Sequence, residues 1–284
     1  MSISDFIDKA ELRIALDLIN KVQIPSPPKV LLELKAELAL ADPSRNKIVT
    51  LIKSDIGLVS RVLKVLNSAA FNLAEEITSI EQAISLIGFN RLKTIIIQPA
   101  YQHALSQSIN GFDNISNFSH LVGNIAETIG DEIESELSGH FYLCGLFHQV
   151  GVLVLSKVYP EYMDFYLSNH LHPLSFPVLE KERYHVNHFS ISVLLAKSWG
   201  LSNTVCNAIF LQQIAYATYK DNMDSATITL VSILKISKYL ALKNSSLFSL
   251  EQCDECAICY DTSVAELMLD ETTIKNIEQS IDSY

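Results

Sequence analysis

The chain of 284 residues contains 49% hydrophobic residues, nine glycines and eight prolines, and its net charge is −11. So many apolar residues exclude an intrinsically disordered chain, and so few turn formers argue against a β-sandwich or a low-complexity sequence. Nine acidic residues and one basic residue lie within residues 244–284, which leaves the remainder nearly neutral and argues against general binding of nucleic acids.

Apolar residues recur every three or four positions along nearly the whole chain, which predicts amphipathic helices and an all-α fold. Ser44 and Ser79 are suited to cap the helices that follow them, the second together with Gln82 three positions further on. The spacing predicts helices over residues 30–40, 46–53, 56–66, 80–87, 90–107 with an interruption at Pro99, 117–134, 138–156, 159–170, 176–185, 188–199, 203–219 and 225–243.

Residues 106–116, which include Asn110-Gly111, are the best candidate for a joint between two helical halves. No run on either side shows the alternation of a β-strand. We therefore expect an N-terminal helical half over residues 1–110, a second helical half over 111–243 and an acidic extension over 244–284.

Two stretches without charge, 137–156 and 198–219, are each long enough to cross a bilayer. Polar residues inside them, such as His148 in the first and Gln212 in the second, favour buried helices of a soluble protein instead. The charged N-terminus lacks the apolar run of a signal peptide, and five cysteines, an odd number, do not form a disulfide framework. These features indicate a cytoplasmic protein that does not enter a membrane.

Two of the eight histidines occupy distinctive positions. His148 and Gln149 form a polar pair inside FYLCGLFHQVG, the most apolar stretch of the chain. His188 opens an amphipathic helix that ends at Trp199-Gly200-Leu201. An imidazole in such a place is either a hydrogen-bonded core residue or a metal ligand.

These segments resemble the HDOD domain, the HD-related output domain, which is a degenerate branch of the helical metal-dependent HD phosphohydrolases. The resemblance covers roughly residues 20–243 and implies a multi-helical HD-like domain. It is carried by IPSPP at 24–28, LIKSDIGL at 51–58, KVLNSAAF at 64–71, IEQAISLIG at 80–88, GLFHQVG at 145–151 and the helix at 188–201.

The resemblance implies a remnant metal site in which part of the ligand set is present. The single histidine of the HD enzymes corresponds to His120, and the histidine of their His-Asp pair corresponds to His148. The aspartate of that pair is replaced by Gln149. His188 matches a histidine that related sequences place before this helix.

Further ligands are replaced in the second half. The later histidine pair reads Gln212-Gln213, and the late aspartate aligns with Ser237. Two cations held close together require anionic ligands, and a glutamine supplies no charge. The three remaining histidines are therefore either core residues or ligands of a single divalent cation.

The resemblance and the lost ligands together predict a bacterial signal-transduction module without catalytic activity. Such a module acts as an output or scaffold through a protein partner, and no cofactor, nucleic acid or membrane is expected. Two alternatives stay open: a metal-dependent phosphohydrolase with residual activity, and a binder of a nucleotide second messenger in the vacated cavity.

The C-terminal extension contains a run of three cysteines, Cys253, Cys256 and Cys259. Their C-x₂-C-x₂-C spacing resembles part of a zinc or iron–sulfur motif, although no further cysteine or histidine follows. At helical spacing the same residues share one face as small apolar side chains. Structural cysteines, a zinc site and a cluster are thus three open alternatives.

The last residues form an amphipathic pattern with Asp270 as the expected cap of a helix over about 270–282. Ile274, Ile277 and Ile281 lie on one face of that helix. We expect this face to dock on the HD-like half and to help form a protein-binding surface.

A basic group in the N-terminal half consists of Lys47, Lys53, Arg61 and Lys64. It is either the solvated face of two helices or a contact surface for an acidic partner, including the acidic extension itself.

Overall fold

The computed structural model confirms the all-α prediction: the described residues form helices and no strand. Described are residues 7–22, 29–38, 40, 43–54, 56–67, 77–89, 92, 95–96, 112–133, 137, 140–244 and 254–281. The helices are α1 Lys9–Val22, α2 Lys29–Leu38, α3 Arg45–Lys53, α4 Ile56–Leu66, α5 Ile80–Phe89, α6 Phe112–Glu132, α7 Phe141–Phe147, α8 Val150–Val158, α9 Tyr162–Asn169, α10 Phe176–Tyr184, α11 His188–Ser198, α12 Asn203–Leu211, α13 Tyr216–Tyr219, α14 Ser225–Asn244, α15 Asp254–Glu266 and α16 Glu271–Ile281.

The contacts divide the chain into two compact units, residues 25–107 and residues 1–24 together with 108–284. The division at 107 falls near the joint expected around residue 110. It differs from the expected one in residues 1–24, which include α1 and belong with the second half of the chain. The reason is that α1 packs on α8 and α11, so long-range contacts outweigh its place in the sequence.

The unit of residues 25–107 contains α2 to α5, and its helix caps confirm the sequence prediction. The hydroxyl of Ser44 accepts a hydrogen bond from the amide of Lys47 at the start of α3. The hydroxyl of Ser79 accepts from the amide of Gln82 at 3.2 Å at the start of α5. Of the basic group, Lys47 and Lys53 form ion pairs within this unit, and the side chain of Arg61 lies outside the described residues.

The larger unit is built around α11 and α14. Helix α14 packs on α6, α7, α12 and α15, and α11 packs on α8, α12 and α1. Glu11 of α1 is 2% exposed and pairs with Lys181 of α10 at 2.8 Å, while its other oxygen accepts a hydrogen bond from Ser190 of α11 at 2.6 Å. These contacts fasten α1 to the helices that carry the candidate site.

The prediction of one continuous helix over 138–156 is wrong. The helix breaks at His148 and Gln149, and the two parts are α7 and α8. The backbone of Gln149 has φ −133° and ψ 23°, outside the helical range. A Cβ on Gly151 would lie 2.0 Å from the carbonyl oxygen of His188, so α8 and α11 touch at backbone distance. This close contact is a tertiary constraint that an apolar repeat does not reveal.

The helix predicted over 203–219 is likewise divided, into α12 and α13. The helix predicted over 90–107 falls almost entirely outside the described residues. The other predicted helices from residue 159 to residue 243 occur within three residues of their expected bounds. Helix α6 begins at Phe112, five residues before the predicted start at 117 and inside the segment expected to be a joint.

The C-terminal extension folds onto the larger unit, as its sequence predicts. Asp270 accepts a hydrogen bond from the amide of Thr273 at 2.7 Å and caps α16. Ile277 and Ile281 are 0% and 4% exposed, and α16 packs on α6. Tyr260 of α15 stacks on Tyr239 of α14 with the ring centroids 4.3 Å apart.

Two segments of the larger unit are long and apolar enough to cross a membrane, Phe141–Val158 and Ser225–Asn244. Within the larger unit, 83% of the apolar stretch in the first segment and 67% of that in the second are buried. Burial of this extent is what the core helices of a globular domain show, so length and composition alone do not indicate membrane spans.

Candidate functional site

His148 ends α7 at the centre of the larger unit. Its side chain is completely buried, and its Nδ1 donates to the carbonyl oxygen of Gly145 at 2.5 Å. Burial, and after it the nearby Lys238 ammonium, lowers the pKa of His148 well below its ordinary value, so the imidazole is neutral. Its Nε2 then carries a lone pair, and this buried atom has no hydrogen-bond partner among the described residues.

Gln149 replaces the HD aspartate and is 1% exposed. Its Oε1 accepts a hydrogen bond from the hydroxyl of Tyr166 at 2.8 Å. Its Nε2, like the Nε2 of His148, is a buried atom without a partner in the described part of the chain. The position therefore holds a neutral amide that is committed to a tyrosine on α9, not a negative charge.

His188 begins α11 and is held by a buried carboxylate. Its Nδ1 donates to Oε2 of Glu180 at 2.7 Å, and the other oxygen of Glu180 accepts from the hydroxyl of Tyr162. Glu180 and Tyr162 are both 0% exposed. Burial and the Glu180 charge raise the pKa of Tyr162 well above its ordinary value, so Tyr162 remains a donor.

Gln212 connects three helices at the end of α12. Its Nε2 donates to the carbonyl oxygen of His148 at 3.1 Å and to that of Ile209 at 2.9 Å. Its Oε1 accepts from the ammonium of Lys238 of α14 at 3.3 Å. Lys238 also lies over the ring of Phe189, 5.7 Å from the centroid. A fixed positive charge therefore stands beside residues that correspond to former metal ligands.

The remaining predicted positions do not extend this cluster. Ser237 is buried, but its hydroxyl donates back to the carbonyl oxygen of Ile233 at 2.7 Å within α14. Gln213 is 8% exposed, and its Nε2 has no partner among the described residues. His120 is half-buried, and its Nδ1 is 2.6 Å from the hydroxyl of Tyr142.

Tyr166 connects the surroundings of His148 and His188: its hydroxyl donates to Gln149, and its ring meets that of His188 edge-on with the centroids 6.0 Å apart. Phe118 of α6 meets His148, with the ring centroids 6.1 Å apart. Within the described ranges, no three His, Cys, Asp or Glu side chains are grouped so that they could hold a metal ion. A single-cation site at His120, His148 and His188 stays a prediction.

The donor set does not fit the two-metal centre of the HD enzymes. Such a centre needs carboxylates to balance two cations and to activate water between them. Here Gln149 and Gln212 offer neutral amides, and the ammonium of Lys238 repels a cation at the same place. The buried carboxylate of Glu180 is already occupied by His188 and Tyr162, and that of Glu11 by Ser190 and Lys181.

A pocket beside this cluster was missed by the sequence analysis. It encloses about 20 Å³, which is room for about one water molecule, and opens to solvent. It is lined by His170, Pro173, Gln212, Lys235, Lys238, Tyr239, Leu242, Cys256 and Cys259. The sequence did contain a signal for this pocket. Lys235 and Lys238 lie three positions apart in the mainly apolar part of the helix at 225–243. Charged side chains are rarely buried unless a partner compensates them.

The cysteine run contributes to this pocket. Cys256 is buried, and its thiol donates to the carbonyl oxygen of Leu171 at 2.9 Å, whereas Cys259 is half-exposed. Both lie on α15 with their side chains toward the pocket, as expected for cysteines that share a helix face. Cys253 lies outside the described residues.

The fold and the position of the polar cluster define an HD-like helical domain whose ligand set is degenerate. The HDOD domain family model matches residues 24–215, which is more than half of the chain. The chain therefore belongs to the HDOD domain family.

Solved structures with the same fold support this assignment. An HDOD domain protein of unknown function from Geobacter sulfurreducens superimposes with a TM-score of 0.67 at 19% identity, over 96% of this chain and 97% of that one. A candidate phosphohydrolase from Shewanella amazonensis gives 0.69 at 20% identity over 95% and 93%. A candidate signal-transduction protein from Marinobacter aquaeolei gives 0.69 at 20% over 96% and 61%.

Two relatives are similar in sequence, and both are described as uncharacterised proteins. The one from Treponema pallidum is 27% identical over 206 residues, 69% of this chain and 39% of the relative. YuxH from Bacillus subtilis is 27% identical over 126 residues, 44% of this chain and 31% of the relative. The matched part thus spans less than half the length of each of these relatives.

Proposed function

We propose that this HDOD domain is a non-catalytic module of bacterial signal transduction that acts through a protein partner in the cytoplasm. The observation that carries the proposal is the polar cluster at the former metal site, where amides and an ammonium take the places that carboxylates and cations need. Such a cluster is suited to hold the fold, not to activate water. One neighbour of the same fold is described as a candidate signal-transduction protein, which is in keeping with this role.

A turnover assay tests the absence of catalysis. The purified full chain is incubated with Mg²⁺, Mn²⁺ or Ni²⁺ and with a generic phosphodiester or nucleotides, and we expect no metal-dependent hydrolysis. Gln149→Asp should not introduce activity, because Gln212, Gln213 and Ser237 still provide no replacement ligands. Hydrolysis by the wild type that disappears in His148→Ala would overturn the proposal.

A residual phosphohydrolase is the second candidate, and one observation favours it. The Nε2 lone pair of His148 is buried, and His188 is oriented by Glu180 as metal-bound histidines often are. Both histidines could offer a nitrogen to one ion, but the described residues supply no third ligand from His, Cys, Asp or Glu. The same assay separates the two candidates, with metal content measured alongside turnover.

The partner surface that we propose includes the docked C-terminal extension. Ile277 is fully buried where α16 meets α6, so Ile277→Asp should detach this helix. Partner capture by the tagged full chain in its native host, followed by titration with the purified partner, should weaken far more in Ile277→Asp than in Lys53→Glu. Equal proteolysis of the extension in the wild type and in Ile277→Asp would show that docking does not matter.

A further inference from the structure

Two thiols of the C-terminal extension lie on one face of α15. Cys256 is the third residue of this helix and Cys259 is the sixth, and both line the small pocket between α12, α14 and α15. The Cα atoms of residues three positions apart in an α-helix are about 5 Å apart, which a disulfide can span. Their Cβ atoms, about 5–6 Å apart, come closer when the turn tightens to a 3₁₀ turn, as turns near helix ends readily do.

The two thiols differ in their access to solvent. Cys259 is half-exposed, whereas Cys256 is 7% exposed and donates to the carbonyl oxygen of Leu171 at 2.9 Å. An oxidant that arrives from solvent therefore reaches Cys259 first. Cys256 then lies one helical turn away, which is the place of a resolving thiol beside a reactive one.

The ammonium of Lys235 lines the same pocket and interacts with Cys259. Burial lowers the pKa of Lys235 to about 8, whereas the charge of Cys259 raises it, so the two groups attract each other when both are ionised. The thiolate is the form of cysteine that attacks an oxidant, and a neighbouring ammonium favours that form. Lys235 is thus suited to activate Cys259.

The other described cysteines have the opposite surroundings. Cys144 and Cys206 are both 0% exposed in the core of the larger unit. Burial, and after it the neighbouring Cys206, raises the pKa of Cys144 well above its ordinary value, so this thiol stays protonated. Buried thiols of this kind are inert toward oxidants. They provide an internal control for the reactivity of the pair on α15.

We propose that Cys256 and Cys259 are a redox-sensitive dithiol that a peroxide converts to a disulfide. The thiolate of Cys259 attacks hydrogen peroxide: an S–O bond forms, the O–O bond breaks, and the departing hydroxide takes up a proton to become water. The thiol of Cys256 then attacks the sulfenic sulfur, an S–S bond forms, and the second oxygen leaves as water with the proton of Cys256. Two thiols thus lose two electrons, and one peroxide is reduced to two water molecules.

The disulfide also changes a contact of the extension. Cys256 no longer carries a thiol proton, so its hydrogen bond to Leu171 is lost. Oxidation therefore alters how the start of α15 is held on the larger unit.

Differential thiol labelling of the full chain tests the proposal. The reduced protein is treated with a small excess of hydrogen peroxide and denatured, and the remaining thiols are blocked with N-ethylmaleimide. After reduction, the released thiols are labelled with iodoacetamide and located by mass spectrometry. We expect this second label at Cys256 and Cys259 and not at Cys144 or Cys206.

Single variants separate the two roles in a Cys253→Ser background, in which the third cysteine of the run cannot take part. In Cys256→Ser the sulfenic acid of Cys259 should persist and react with dimedone. In Cys259→Ser the thiol of Cys256 should stay reduced, because it is buried. Oxidation of Cys256 without Cys259 would show that the assigned order is wrong.

The rate of oxidation tests the part of Lys235. Lys235→Met should slow the labelling about threefold or more, because an ammonium no longer favours the thiolate. Lys197→Met is the matched control, since Lys197 is exposed on α11 and does not line the pocket, and the rate should stay the same. An unchanged rate in Lys235→Met would overturn the activation by this residue.

Two results with the wild type would overturn the dithiol itself. One is the absence of the second label from Cys256 and Cys259 after peroxide treatment. The other is stoichiometric zinc that these cysteines bind in the purified protein, because they would then be metal ligands. The measurement involves neither turnover nor a partner, so its failure is distinguishable from a failure of the proposed signalling role.

Discussion

One polar pair from each unit of the chain shows what burial changes. In the unit of residues 25–107, Lys53 and Glu81 pair at 2.6 Å with both side chains about half exposed, 52% and 45%. In the larger unit, Glu180 and His188 pair at 2.7 Å with exposures of 0% and 3%. Exposed pairs contribute little to stability, whereas removal of one member of a buried pair leaves a stranded polar group. Loss of one member should therefore cost far more at the Glu180–His188 pair than at the Lys53–Glu81 pair.

Glycine is required for a different reason at Gly88 in the smaller unit and at Gly151 in the larger unit. Gly88 of α5 has φ +70° and open space around the position of a Cβ, so only its backbone conformation requires glycine. Gly151 has an ordinary φ, but a Cβ there would meet the backbone of His188. The larger unit is thus constrained by close packing around its polar cluster, because α8 and α11 meet at backbone distance.

Glu180→Ala should cause the largest loss of stability, about 3–5 kcal/mol, because it strands both His188 and Tyr162 in the core. Urea unfolding followed by circular dichroism measures this loss. Glu180→Gln keeps an acceptor and should cost less. Glu182→Ala on the exposed face of the same helix is the control, expected within about 0.5 kcal/mol of the wild type. A similar loss in both alanine variants would contradict the role of burial.

Gly151→Ala should cost about 3 kcal/mol, because the added methyl group forces α8 away from the backbone of α11. Gly88→Ala should cost less, about 1–2 kcal/mol, since only the positive φ opposes a side chain. The unfolding midpoints of the two variants give the comparison directly. If Gly88→Ala proves the more damaging of the two, close packing in the larger unit has been overestimated.

Acidification should destabilise the larger unit through His148. Its pKa in the folded state lies below the ordinary value of about 6.5, so the unfolded chain takes up a proton first. Stability is therefore complete above about pH 6.5 and declines as the pH falls toward the folded pKa, by about 1 kcal/mol between pH 7 and 5.5. Urea midpoints across this range measure it. His148→Gln should reduce the dependence, and the remainder should come in part from His170, whose pKa burial lowers to about 4. His172→Gln, at an exposed position, is the control and should leave the dependence nearly unchanged.

Lys53→Ala should have the smallest effect, about 0–1 kcal/mol, because its ion pair with Glu81 is exposed. The difference should shrink further in 0.5 M salt, which screens surface charges within about 5 Å. Unfolding curves at low and high salt provide the measurement. A salt-independent loss above that range would show that the smaller unit also relies on its polar contacts.

The sequence by itself determined the features that arise from neighbouring residues. The apolar repeat, the caps at Ser44, Ser79 and Asp270 and the buried face at Ile277 all depend on contacts within a few positions, so one-dimensional spacing contains them. The motif segments likewise identified the family, and the substitution at Gln149 showed that a charged ligand is missing.

Tertiary structure decided what depends on distant partners. The break of the helix at His148, the bond from Gln212 to a carbonyl 64 positions earlier and the joining of Lys238 to the same cluster follow from how helices pack. Periodicity predicts which face of a helix is buried but not which other helix covers that face. The packing of α14 against α12 brings the ammonium of Lys238 to Gln212, a position that corresponds to a metal ligand in the HD enzymes.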